Sequence, residues 1–164
     1  MQQGPNGRSR WYGSAQTGLL CLFAIAVLFS PNHPVVPANK PLALAGGLLC
    51  AIGVAVMLTA IATIRKAVQV APAPKAGASL VTSGIYKYFR HPIYSAIVLL
   101  VIGLFLRKPT LLVGGVGMVV ILFLAIKVRF EETLLMTRYP DYAAYKSRTW
   151  GVIPWPKRVP KAGT

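Results

Sequence analysis

Acidic residues are nearly missing from this chain: three Asp and Glu stand against 18 Lys and Arg in 164 residues, a balance that ordinary soluble domains do not show. Cysteine is scarce as well. Cys21 and Cys50 both fall inside apolar runs, where they behave as small hydrophobes and supply no disulfide framework. No internal repeat is evident, and no set of residues carries metal-ligand spacing. The net charge of +15 could serve nucleic acid, but the basic residues come in short clusters between apolar runs. They form no stripe or tail, so a nucleic-acid partner is not expected.

What is abundant is hydrophobic length. Apolar residues make up 55 % of the chain and its mean hydropathy is +0.58, and they lie in unbroken runs whose natural solvent is lipid. Four runs stand out, Thr17–Ser30, Leu42–Ile64, Ile93–Leu106 and Thr110–Val128. Each is close to the ~20 residues that about 30 Å of hydrocarbon requires. All four are read as spanning helices. The first and third are short; Trp11 and Tyr12, and Arg107 with Lys108, extend them by interfacial anchoring and snorkelling. The third and fourth could alternatively form a re-entrant hairpin. The first run is not read as a signal peptide, because Ser30-Pro31-Asn32-His33-Pro34 follows it in place of a small-residue cleavage site.

Counted by segment, alternate sides of the membrane then carry 15 and 3 of the basic residues. The excess of Lys and Arg predicts cytoplasmic termini and a cytoplasmic 65–92 loop, in a bacterial inner membrane or endoplasmic reticulum. The organisation expected is a cytoplasmic segment 1–16, a transmembrane hairpin 17–64, a linker 65–83 and a C-terminal hairpin and tail 84–164. Within the linker, Ala71-Pro72-Ala73-Pro74-Lys75-Ala76-Gly77 reads as flexible, and Trp155-Pro156-Lys157-Arg158 suits an interfacial tail.

Three polar clusters are predicted at cytoplasmic ends of spans. The first runs from Gly84 to Tyr94 and contains Tyr86, Arg90, His91 and Pro92. Pro92 fits the first helical turn, so His91 sits near the N-cap beside free N–H groups that, with Arg90, suit a carboxylate or phosphate. An aromatic and basic anchor is the plainer reading. The second is Lys127-Val128-Arg129-Phe130-Glu131-Glu132. Two of the chain's three acids are adjacent here, near a helix end that disfavours negative charge. Either Lys127 and Arg129 compensate them, a ligand cation does, or the helix continues to about Arg138. The third is Tyr139 to Thr149, where Pro140 can open a short helix with Tyr142, Tyr145 and Arg148 on one face. That face offers an aromatic wall for a purine or sulfonium and a guanidinium for an anion; a surface helix on headgroups is the alternative. A second His-Pro pair, His33-Pro34, reads as plain loop on the opposite face.

In order and spacing, Thr82-x-Gly84-x-Tyr86, Arg90-His91-Pro92-x-Tyr94, Arg129-x-Glu131-Glu132, Tyr142-x-x-Tyr145-x-x-Arg148 and Ile153-Pro154 resemble the isoprenylcysteine carboxyl methyltransferase and phospholipid methyltransferase group of membrane enzymes. The pattern covers about residues 80–156. Ala96, Tyr139-Pro140 and Gly151 depart from the residues usual in that group. The resemblance implies an all-α integral membrane protein of about four transmembrane helices, with a C-terminal helical hairpin and a cytoplasmic cofactor pocket. It implies S-adenosyl-L-methionine as cofactor. Tyr86, Arg90, His91, Pro92, Tyr94, Glu131, Glu132, Tyr142 and Tyr145 would bind it, and Arg148 and Glu132 would act in catalysis. The acceptor would be lipid-like or prenylated, a carboxylate or an amine reached through the bilayer. Two rival readings are a non-catalytic membrane adaptor of the same fold and an NADPH-dependent membrane reductase.

Overall fold

A computed structural model describes residues 5–31, 33–35, 39–70 and 80–154. The linker stretch 71–77 and the 155–158 tail lie outside the described residues. Five helices account for most of the rest: α1 (Pro5–Phe29), α2 (Lys40–Val70), α3 (Pro92–Arg107), α4 (Leu111–Arg138) and the short α5 (Tyr142–Arg148). A 3₁₀ turn at Gly84–Lys87 precedes α3. There is no strand among the described residues. The chain is therefore an all-helical membrane protein.

Each long helix outruns its apolar stretch. α1 starts at Pro5, α2 continues through Arg65 and Lys66, and α4 runs on through Glu131 and Glu132 to Arg138. Hydropathy reports where lipid ends, whereas helical hydrogen bonding stops only where a breaker intervenes. At α4 that breaker is Pro140, which drives the residue before it out of helical geometry; Tyr139 is extended. Among the described residues, three helices are long and apolar enough to cross a membrane, over Trp11–Phe29, Lys40–Ala67 and Leu111–Arg138. α3, with 16 residues, is about 24 Å long at 1.5 Å per residue, shorter than the other three. Leu44, Leu58, Leu111 and Leu122 on the outer surface are all more than half exposed, which is expected where the surrounding medium is hydrocarbon.

The four helices run antiparallel to their neighbours. Phe23 of α1 meets Gly117 of α4, and Tyr12 stacks on Phe130 at 4.7 Å, so α1 descends along α4. α3 packs chiefly along α2, on a seam of small residues. A Cβ added to Gly46 would lie 2.5 Å from the Gly103 carbonyl oxygen, and one added to Gly103 would lie 2.7 Å from Cys50 Sγ. Small residues let the backbones approach, which matters where lipid removes the hydrophobic drive between helices. Gly103→Leu should separate α2 from α3 and lower stability by about 1–3 kcal/mol, read as an earlier thermal transition in detergent. A parent-like transition would contradict this close packing.

The end of the bundle where α3 passes into α4 is closed by polar contacts of its own. Ser30 and Thr110 share a buried hydrogen bond of 2.5 Å, Thr110 accepts from the Val113 N–H at the start of α4, and Lys108 Nζ donates to the Val27 carbonyl in the last turn of α1 at 2.8 Å. A lysine there satisfies an orphan carbonyl and favours the helix dipole. His33-Pro34 lies at this end too, with Pro34 bridged to Thr110, as the plain-loop reading expects.

Candidate active site

Antiparallel packing brings the start of α3, the C-terminal part of α4 and α5 to the other end of the bundle, so the three polar clusters meet there. The approach to α3 is shaped by Gly84, whose φ is +57° and whose missing Cβ would lie 2.8 Å from Thr63 Oγ1 at the end of α2. Only glycine meets both conditions without strain. Pro92 occupies the first turn of α3 with His91 at its N-cap, as the sequence predicts.

The segment after α5 pairs with the segment before α3. The Trp150 N–H donates to the Tyr88 carbonyl at 2.8 Å and the Arg90 N–H donates to the Trp150 carbonyl at 2.7 Å. Ser95 Oγ adds a hydrogen bond to the Val152 carbonyl. Arg90 ties this arrangement to α4. Its Nε donates to Glu132 Oε1 at 2.8 Å, and its Nη1 donates to the carbonyls of Lys146, at 3.0 Å, and Thr149. Glu132 Oε2 is also taken, by Lys146 Nζ at 2.7 Å. Both oxygens of Glu132 are therefore paired within the protein, in a cluster where side-chain exposure of Arg90 and Glu132 is 11 % each.

Glu131 is placed differently. Its Oε1 accepts from the Tyr94 hydroxyl at 2.7 Å and lies 3.6 Å from Lys127 Nζ. Its Oε2 faces His91 Nδ1 at 3.8 Å, beyond hydrogen-bonding distance. Arg129 is exposed, so of the two cations weighed as compensators only Lys127 is buried beside the acids. The His91 and Tyr94 rings stack with centroids 5.5 Å apart.

Two cavities border this cluster. One, of about 170 Å³, is lined by Tyr86, Arg90, His91, Pro92, Ile93, Tyr94 and Glu131. The other, of about 810 Å³, is lined among others by Thr82, Lys87, Tyr142, Tyr145 and Arg148. Tyr86 lines the first and Tyr145 the second, and the Tyr145 hydroxyl donates to the Tyr86 carbonyl at 2.6 Å. Ligand pockets usually span about 300–1,000 Å³, so the larger cavity alone holds a nucleoside-sized body and the smaller suits a charged end group. Tyr142 and Tyr145 are buried on one face of α5 as their spacing predicts, while Arg148 is exposed at the cleft rim, its Nε donating to the Ala144 carbonyl.

Two buried polar atoms make no hydrogen bond among the described residues: the Tyr142 hydroxyl, and His91 Nε2, which lies 3.5 Å from the already paired Glu132 Oε1. Such orphans in a native fold call for an explanation, and an absent ligand is one. Burial pushes Tyr86 and Tyr142 up to about 12, with Tyr145 adding to the first and Glu132 to the second; Tyr145 is raised by burial too. These phenols stay protonated donors at neutral pH.

For His91, burial outweighs the pull of Glu131 and Glu132 and holds the imidazole below its ordinary value of 6.5. The unfolded chain takes up this proton more readily than the folded one. The stability that His91 contributes is thus complete above about pH 6.5 and is lost as pH falls below it. His91→Gln should flatten this acid limb in thermal melts between about pH 5.5 and 7.5; an unchanged limb would place the titration elsewhere.

Several residues of the cluster are not singled out by the sequence. Lys146 and Thr149 sit inside the third cluster without a predicted role, and Ser95 and Gln16 lie outside all three. For Lys146 a clue existed, since an acid pair so rare in composition must find cations nearby. For Ser95 and Gln16 there was none.

A family model described as phospholipid methyltransferase matches residues 42–142, more than half of the chain. No curated protein and no solved structure matches it.

Proposed function

The chain belongs to the phospholipid methyltransferase family, and from that premise we propose that it is a membrane-embedded, S-adenosyl-L-methionine-dependent methyltransferase whose acceptor is lipid-like or prenylated. Its site and both termini would face the cytoplasm, following the excess of Lys and Arg on that side. The observation that carries the proposal is Glu131, a carboxylate with one oxygen held by Tyr94 and the other 3.8 Å from His91 Nδ1, both residues lining one small cavity.

The donor set fits this cofactor. Glu131 suits its sulfonium or ammonium, and Arg90 and His91 with Pro92 at the start of α3 suit its carboxylate. Tyr86 and Tyr94 on one side, and Tyr142 and Tyr145 on the other, suit its ring. Glu132 reaches a ligand cation only by sharing it with Arg90 and Lys146, and its pairing favours a role in holding Arg90 in place.

When bound, the cofactor supplies a methyl group whose C–S bond breaks as the acceptor oxygen or nitrogen forms its bond to carbon, leaving a neutral thioether. Charge is lost in this displacement, so the residues chiefly have to align the acceptor and exclude water. A carboxylate acceptor needs no base; Arg148 at the cleft rim would orient it. An amine must first lose a proton, and His91, kept neutral by burial, has a lone pair to receive it.

The test is calorimetric titration of the detergent-purified protein with S-adenosylmethionine and S-adenosylhomocysteine, with NADPH in parallel. Saturable binding of the first two is expected. Binding of NADPH alone would support the reductase, and binding of none by a folded sample would support the adaptor.

A further inference from the structure

The family match begins at residue 42, so α1 lies outside it, yet α1 reaches into the site. Gln16 accepts, through its side-chain oxygen, a hydrogen bond from Lys127 Nζ. The same ammonium lies 3.6 Å from Glu131 Oε1 and 5.3 Å from the centre of the Tyr94 ring. Lys127 is 9 % exposed on a helix able to cross a membrane, where a cation depends on partners supplied by the protein.

Lys127 and Glu131 are one helical turn apart and within reach of one another, with the lysine N-terminal to the glutamate, the weaker order for such a pair. At 3.6 Å the pair is an ion pair longer than the ~2.8 Å of a charge-assisted hydrogen bond, and the hydrogen bond goes to Gln16 instead. The geometry points to Gln16 as a restraint that holds the Lys127 cation off Glu131 and so keeps this carboxylate available to a cationic ligand. Gln16 and Lys127 are positioning residues in this arrangement, and the first helix is a working part of the site. A neutral amide suits this role because it satisfies the ammonium without bringing a second negative charge to compete for the ligand. The inference rests on the functional reading above and deepens it.

Four full-length proteins in detergent decide it by titration with S-adenosylmethionine: the parent, Gln16→Leu, Lys127→Met and the double variant. Gln16→Leu should bind about tenfold more weakly, because the freed ammonium closes on Glu131, and adding Lys127→Met should remove that loss, a coupling of opposite sign to simple damage. Gln16→Met, closest in shape to glutamine, takes the place of Gln16→Leu if the latter is not recovered folded. A double variant as weak as the single one, or a Gln16 variant with parent affinity, overturns the inference alone. A parent that binds no S-adenosylmethionine overturns the functional reading and this inference with it.

Discussion

Arg90→Met should lower stability by about 3–5 kcal/mol, the scale on which a buried ion pair loses one partner, and should loosen the segment that follows α5. The guanidinium serves three acceptors: Glu132 on α4 and the carbonyls of Lys146 and Thr149. Methionine fills much of the volume but donates to none of them. Glu132 would keep Lys146 at 2.7 Å, which limits the loss at that carboxylate, while the two carbonyls would have to find water. Arg90→Lys keeps the charge without the planar fork and should fall between the two. Thermal unfolding in detergent reads the stability, and limited trypsin digestion at Lys146 and Arg148 reads the release. A variant that melts with the parent and resists trypsin equally would show that Arg90 is not the tie.

Glu131→Gln should weaken S-adenosylmethionine binding about ten- to hundredfold, as expected from a charge-assisted interaction of about 1.5–3 kcal/mol, while the protein stays folded. The amide oxygen can still accept from the Tyr94 hydroxyl, so local packing survives. Glu132→Gln should behave in the opposite order. Its first effect should be on stability, because Arg90 and Lys146 lose the charge that both contact, with weaker binding as a consequence. The adjacent pair thus provides its own control. Equal binding losses at equal stability in the two variants would dissolve the distinction drawn between them.

Much of this architecture is legible along the chain because its causes are local. Pro92 after His91 marks the start of α3; Pro140, read as the opening of a short helix, instead ends α4, and α5 begins at Tyr142 with Asp141 at its N-cap. Tyr142 and Tyr145 share a face by spacing alone. Helix ends are harder to read where two local forces diverge: α1 begins well before its apolar run, and α2 and α4 continue well past theirs, because lipid exposure and backbone hydrogen bonding obey different limits. The choice between a ligand and the protein as partner of Glu131 and Glu132 is left open by the sequence, and the packing treats them differently, pairing both oxygens of Glu132 and only one of Glu131 at hydrogen-bonding distance.

Hydropathy, charge balance and breakers by themselves determined that this is a helical membrane protein with its polar chemistry at span ends, since each follows from how a short segment meets lipid or closes its own hydrogen bonds. Only the tertiary structure decided that Arg90 binds an acid 42 residues away, that Lys127 turns to Gln16 on the first helix, and that α3 lies along α2 on a glycine seam. Those pairings depend on which helices approach and at what height, and that is set by small residues and side-chain reach across the whole bundle, not by any local pattern.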